Sequence, residues 1–154
     1  EVGGGHNMAA GFTLKKNNLN KFKDFIFEDF SNKVSFDNHG LLYDAEVSSN
    51  AINKNFYGDI KKLEPFGSSN PNPIFLFKDL KVIKTNFLND NHLSVILKSK
   101  SGFSIKSISF NSINNKVGNY LLNYKKTFNV LAQINENNWN NKNTLQLNIH
   151  DLII

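Results

Sequence analysis

Residues 74–87, Ile74-Phe75-Leu76-Phe77-Lys78-Asp79-Leu80-Lys81-Val82-Ile83-Lys84-Thr85-Asn86-Phe87, begin the run of strands on which the fold of this chain turns. Branched and aromatic side chains suit a pleated backbone, and the same signal predicts further strands over 92–99, 103–110, 128–135 and 144–153. Between the third and fourth strands, 112–123 reads as a short helix with Ile113, Val117, Tyr120 and Leu121 on one side. Three strands, a helix and two strands is the order of an OB-fold, a small β-barrel that commonly binds single-stranded nucleic acid on one face. Within the third strand the alternation slips from Phe103 and Ile105 to Ile108 and Phe110, which predicts a bulge near Lys106 and Ser107.

Toward the N-terminus, the loop 65–73 carries all three prolines of the chain. Proline fixes φ, so this connection is expected to be stiff and to set the angle between a helix and the sheet, a structural role rather than a nucleic-acid contact. The preceding helix repeats Ile52, Phe56, Ile60 and Leu63 at intervals of three and four, and Pro65 stops it. Before it, 41–47 alternates Leu41, Tyr43, Ala45 and Val47 with Leu42, Asp44 and Glu46, as a half-buried strand does. Asp37-Asn38-His39-Gly40 is a loop, with His39 as a turn residue. A first helix, capped by Asn18, places Leu19, Phe22, Phe25, Ile26 and Phe30 on one apolar stripe that is expected to face a core.

Near the start stands Gly3-Gly4-Gly5-His6-Asn7-Met8-Ala9-Ala10-Gly11. Consecutive glycines reach positive φ and can bring several N–H groups to one anion, and His6 adds a side-chain donor at the same point. Ala9, Ala10 and Gly11 allow close approach, so a nucleotide phosphate is the expected guest. Glycine-rich termini are otherwise flexible leaders. Here the run passes directly into Phe12-Thr13-Leu14 and the capped helix, which favours a structured element.

This run resembles the GGGHxxAAG signature of the DHH-associated domain of phosphoesterases, with Gly3, Gly4, Gly5, His6, Ala9, Ala10 and Gly11 all matching. Leu63-Glu64-Pro65-Phe66-Gly67-Ser68-Ser69-Asn70-Pro71-Asn72-Pro73 resembles the L-x-PFG-x-x-NP-x-P stretch of the RecJ family of single-stranded-DNA-specific 5′ to 3′ exonucleases. The resemblance extends over essentially the whole chain. It implies an α+β chain in three parts: the C-terminal strand-helix piece of a DHH-associated domain over 1–36, a connecting strand, helix and proline-rich loop over 37–73, and a β-barrel OB-fold over 74–154. It also implies that Gly3, Gly4, Gly5 and His6 bind a substrate phosphate, with His6 taking part in catalysis. In the family the catalytic Mn2+ or Mg2+ is held by an upstream DHH domain that these residues do not include. With Glu1 as its first residue, the chain reads as a fragment that is inactive by itself. Single-stranded DNA is the implied substrate of a cytoplasmic enzyme of DNA repair and recombination, with single-strand-binding protein or a helicase as partners. Two other readings share parts of this pattern: a non-catalytic OB module binding single strands or protein, and another phosphoesterase acting on short oligonucleotides.

The residues themselves agree with a missing metal centre. His6, His39, His92 and His150 are isolated from one another, and no HxxxH spacing occurs. Asp44 and Glu46 share one strand face, which is ordinarily a solvated face. The absence of cysteine excludes thiolate nucleophiles, disulfides and Cys-type zinc sites. No apolar stretch approaches the roughly 20 residues of a membrane-spanning helix, so no membrane role is expected. Residues 1–39 hold five lysines against five acids, whereas 40–154 hold thirteen against eight, so the whole net charge of +5 lies in the second part. All 18 basic residues are lysine. Lysine neutralises phosphate as a point charge without the guanidinium fork that reads guanine, so binding is expected to be salt-sensitive and indifferent to sequence. Candidate DNA contacts are Lys78, Lys81, Lys84, Lys98, Lys100 and Lys106. Candidate stacking rings are Tyr120, Tyr124 beside Lys125 and Lys126, and Trp139 in the Asn-rich turn before the last strand.

Overall fold

The long strand beginning at Phe75 is the hinge of the architecture. In the computed structural model, which describes residues 2–6, 9–33, 40–89, 91–138 and 143–154, the chain divides into two units, 1–39 and 40–154. Trp139 and the turn at Asp37, Asn38 and His39 lie outside the described residues.

In the second unit, β3 (Ala45–Glu46), α2 (Lys54–Lys61), β4 (Phe75–Leu88), β5 (His92–Ser99), β6 (Ser104–Ser109), α3 (Lys116–Asn123), β7 (Phe128–Asn137) and β8 (Thr144–Ile153) follow in the expected order. The sheet runs β3-β4-β5-β6-β8-β7, and β4 pairs again with β7, closing a five-stranded barrel. Only β6 and β8 are parallel within that barrel; its other pairs are antiparallel. This is the OB-fold, with α+β content, that the element order predicts.

Closure requires β4 to bend. Its first residues pair with β7 and its later ones with β5, and the register shifts between Phe77 and Leu80. Asp79 sits there at φ 56, a left-handed conformation that aspartate tolerates better than most residues, and its N–H donates to Asn129 Oδ1 at 3.1 Å. A second shift falls between Val82 and Lys84, and a third between Leu131 and Ala132. The bulge expected near Lys106 and Ser107 is absent: β5 and β6 pair without interruption from Leu93–Ser109 to Lys98–Ser104. Ser107 and Ser109 point inward with Ile105, so Ile108 and Phe110 fall on the outside without any slip. Small polar residues in the barrel interior imitate a change of phase in the hydrophobic pattern.

Phe77, Leu80, Leu93, Val95, Leu97, Val130 and Leu147 are fully buried inside the barrel. Each such side chain contributes about 1.5–3 kcal/mol of burial energy. α3 caps one end with Leu121, and Thr85 Oγ donates to the Leu121 carbonyl at 3.0 Å. α2 starts at Asn53, whose side chain accepts from the N–H groups of Asn55 and Phe56, and it buries Ile60. Leu63, expected on the same stripe, is exposed beyond the helix end.

The strand expected over 41–47 is reduced to Ala45–Glu46, pairing with Phe75 and Leu76. Leu41, Leu42 and Tyr43 are exposed, while Asp44 donates its N–H to the Ile74 carbonyl and accepts the Ile74 N–H on its carboxylate, both at 2.8 Å. The proline-rich loop is tied internally: Asn70 Nδ2 donates to the carbonyls of Leu63 and Pro65 at 2.7 and 3.1 Å. Gln133 of β7 donates to the Asn72 carbonyl at 3.0 Å. Half-buried Phe66 packs against the core. These are structural contacts, as stiff proline geometry leads one to expect.

In the first unit, β1 (Gly3–His6) and β2 (Ala9–Phe12) pair antiparallel, and a 3-10 turn over Lys16–Asn18 leads into α1 (Leu19–Lys33). Asn18 is therefore already within a helical turn rather than capping α1 from outside it. Phe12 meets Phe22 at 4.5 Å between ring centroids, while Leu19, Phe25, Ile26 and Phe30 of the apolar stripe are exposed.

Candidate nucleic-acid interface

A two-residue period on β5 and β6 sorts their side chains onto two faces. Leu93, Val95 and Leu97 fill the barrel, so His92, Ser94, Ile96 and Lys98 face outward. On β6, Ile105, Ser107 and Ser109 point inward, leaving Ser104, Lys106, Ile108 and then Phe110 outside. Register aligns them in rows: Lys84, Ile96 and Lys106 in one, Lys81, Lys98 and Ser104 in the next, Asn86, Ser94 and Ile108 in the third. Neither β5 nor β6 carries an acidic residue.

The four lysines on this face come from three consecutive strands, β4, β5 and β6, that pair as an antiparallel meander. Lys81 stands directly opposite Lys98, a like-charge cross-strand pair that works against stability unless an anion screens it. Beside them, Asp79, Ile83, Ser99 and Thr127 complete a groove of about 190 Å³. Lys125 and Lys126, both exposed, immediately precede Thr127.

At the far end of the face, the His92 ring meets Phe110 edge-on at 5.2 Å. His92 Nδ1 accepts the Asn111 N–H at 3.0 Å, which leaves Nε2 to carry the proton of the neutral ring. Phe110 is 49% exposed, so an aromatic surface stands at the edge of the lysine rows. His92, Ile96, Ile108 and Phe110 were not among the residues expected from sequence. A bulge at Lys106 would turn Ile108 and Phe110 inward; unbroken alternation through the serines is the signal that would have found them.

Other expected contacts are placed differently. Lys78 is paired with Glu46 at 2.6 Å and Lys100 with Asp79 at 3.0 Å. The hydrogen bond that Lys78 donates to Glu46, with the charge of that carboxylate, holds the Lys78 ammonium above its ordinary pKa. Both pairs line one polar cleft with Ser48, Ser49 and Asn50, where the lysine charge is offset locally. Tyr124 is half-buried against the core, its ring 5.7 Å from Tyr120 and 6.1 Å from Phe128. That is packing rather than an outward stacking platform, whereas Tyr120 remains exposed. His150, on β8, is held below its ordinary pKa by burial.

The glycine motif is a strand. Gly3, Gly4 and Gly5 are extended, paired with Phe12, Gly11 and Ala10, and Gly102 is the glycine with positive φ among the described residues. The anion nest expected from positive φ is therefore replaced by a hairpin strand. Its small residues have a steric cause: a Cβ on Gly5 would lie 2.7 Å from the Cα and Cβ of Ala10. His6 ends β1, opposite Ala9. Among the described residues no three His, Cys, Asp or Glu side chains converge, so the groups present do not fit a divalent-metal centre.

Comparison with known proteins agrees with this architecture. The chain is similar to the single-stranded-DNA-specific exonuclease RecJ of Bacillus subtilis (strain 168), with 23% identity over 155 residues. That match takes in 98% of this chain and 19% of the relative, so the chain spans about a fifth of the relative's length. The crystal structure of RecJ from Thermus thermophilus in complex with Mn2+ superposes with a TM-score of 0.68 at 20% identity, over 98% of this chain and 21% of that one. The Mg2+ complex from the same organism gives 0.67 at 21% identity, over 99% and 23%. These likenesses show the shared fold. The family described as the RecJ OB domain matches residues 43–151, and with the closed barrel and its strand order as described, the chain belongs to that family.

Proposed function

We propose that this chain is the DNA-binding C-terminal portion of a single-stranded-DNA-specific 5′ to 3′ exonuclease of the cytoplasm, acting in DNA repair and recombination. The observation that carries the reading is the outward face of β4, β5 and β6, where Lys81, Lys84, Lys98 and Lys106 stand in register with no acid on β5 or β6. A polyanion removes the repulsion between Lys81 and Lys98, and Ile96, Ile108 and Phe110 offer apolar surface to unpaired bases. Lysine reads charge rather than base edges, so the face grips the backbone of any sequence and guides it to a catalytic centre in the rest of the enzyme. That centre uses Mn2+ or Mg2+ held outside this chain to activate water. Single-strand-binding protein or a helicase would deliver the strand.

Fluorescence anisotropy with labelled oligonucleotides tests this directly. Single strands are expected to bind more tightly than duplex of equal length, with affinity falling as salt rises. Equal affinity for duplex would remove the strand-selective reading; no binding to either would favour a protein-contacting barrel.

The hairpin of β1 and β2 is assigned to the catalytic cleft of the complete enzyme, with Gly3, Gly4, Gly5 and His6 beside a substrate phosphate. Its support is the match of the motif to the phosphoesterase signature and the exposed position of His6 at the end of β1. His6→Ala in the full-length enzyme is expected to lower kcat/KM by about tenfold, the value of one hydrogen bond to a charged group. Unchanged turnover would refute the role.

A further inference from the structure

We propose that the open seam between β6 and β8 is a second single-strand subsite, in which the Phe103 ring stacks on one base while Lys54 and Lys106 hold the neighbouring phosphates. The inference rests on the single-strand reading of the barrel face and extends it to residues outside that face.

β6 and β8 pair only at Ser107–Leu147 and Ile108–Asn148. Toward their N-terminal ends, at Ser104 and Thr144, the two parallel strands diverge, and α2 begins beside the gap. A groove of about 390 Å³ opens there, with the apolar side chains of Ile52, Ile105 and Leu145 along it. Lys54 and Lys106 also line it, and among the described residues no aspartate or glutamate does. The first amides of α2 are already taken by the Asn53 side chain, so anion binding rests on the two lysines.

Phe103 has what a stacking platform needs. It follows Gly102 at φ 91, its N–H donates to Ser99 Oγ at 3.2 Å, and its carbonyl accepts the Ser99 N–H at 2.9 Å. The backbone beneath the ring is thus pinned on both sides. Phe103 is 39% exposed and is not part of the packed core. An exposed aromatic side chain on a hydrogen-bonded backbone, sharing a groove with two cations, suits an unpaired base and its phosphates. Lys106 belongs both to this groove and to the outer row with Lys84 and Ile96, so one strand can run from the barrel face into the seam without a break in positive charge.

The test uses the whole chain with oligo(dT) of about 5 and about 15 nucleotides, near the two ends of the range that one OB barrel covers. Phe103→Leu keeps apolar bulk without the ring; it is expected to weaken the longer oligonucleotide about tenfold and leave the shorter one unchanged. Phe103→Tyr is expected to retain wild-type affinity, and Lys54→Gln to reduce the salt slope by about 0.7. If the double variant Lys84→Gln/Lys98→Gln weakens binding and Phe103→Leu does not, the barrel face stands and the seam subsite falls, leaving the groove to another occupant such as an extended peptide. If the wild-type chain binds neither oligonucleotide, both readings fall.

Discussion

Gly118→Ala is expected to destabilise the barrel by about 3 kcal/mol, or to prevent folding, although helix propensity alone predicts the opposite sign. Gly118 lies in α3, where alanine is favoured over glycine by about 1 kcal/mol in an open helix. Here an added Cβ would overlap the Ser112 carbonyl oxygen and lie 2.6 Å from its carbon, well inside van der Waals contact. The obstacle is backbone, and that backbone is held. Ser112 is buried, its N–H donates to the Asn91 carbonyl at 2.9 Å, and its hydroxyl donates to the Ser109 carbonyl at 3.1 Å. Asn115 caps α3 by accepting the Gly118 N–H itself at 3.0 Å. Relief therefore demands that α3 move outward, withdrawing Leu121 from the barrel end and straining the cap, and overpacking of this kind outweighs the propensity gain. Urea unfolding followed by circular dichroism measures it. A midpoint equal to or above wild type would show that the close approach of α3 to the 109–115 loop is wrong.

Changing Lys84, Lys98 and Lys106 together to glutamine is expected to lower single-strand affinity about 100-fold near 0.1 M salt. Each lysine that neutralises a phosphate contributes about 0.7 to the slope of log K against log salt on a single strand. Three such contacts amount to about two decades at that concentration and a slope shallower by about 2. All three side chains are exposed on the barrel's outside, so stability should be little changed and folding can be verified separately. Changing Lys78 and Lys100 instead is expected to have a smaller effect, because Glu46 and Asp79 already occupy their charges. Anisotropy titrations at several salt concentrations distinguish the two sets. An equal loss from both would mean that net charge, rather than the lysine rows on β4, β5 and β6, draws the strand.

The order of elements was legible because each strand of the barrel alternates or runs apolar in its own right, and the helical interval between the third and fourth strands keeps a three-to-four period. The bounds of β5 and β8 match the sequence reading, and β4, β6 and β7 differ from it by one or two residues. The errors share a cause. The strand expected at 41–47 and the bulge expected at Lys106 were inferred from hydrophobicity as though every apolar residue faced a core and every polar one faced water. In the fold, Leu41 and Leu42 are exposed while Ser107 and Ser109 are buried. The positive φ expected of Gly3, Gly4 and Gly5 was inferred from what glycine permits. Pairing with Gly11 and Ala10 shows another use of the same freedom, the close approach of two strands.

Local sequence determined the strand-helix-strand order, the stiffness of the 65–73 loop, the absence of thiol chemistry and the concentration of positive charge in residues 40–154. Those properties depend on neighbours in the chain or on composition. Tertiary structure alone decided where β4 bends, which lysines share a face, which are quenched by Glu46 and Asp79, and where β6 and β8 part. Each of these depends on how the strands pair, and a shift of one residue in register moves every side chain to the opposite face. The same alternating pattern is compatible with either outcome until strand pairing selects one.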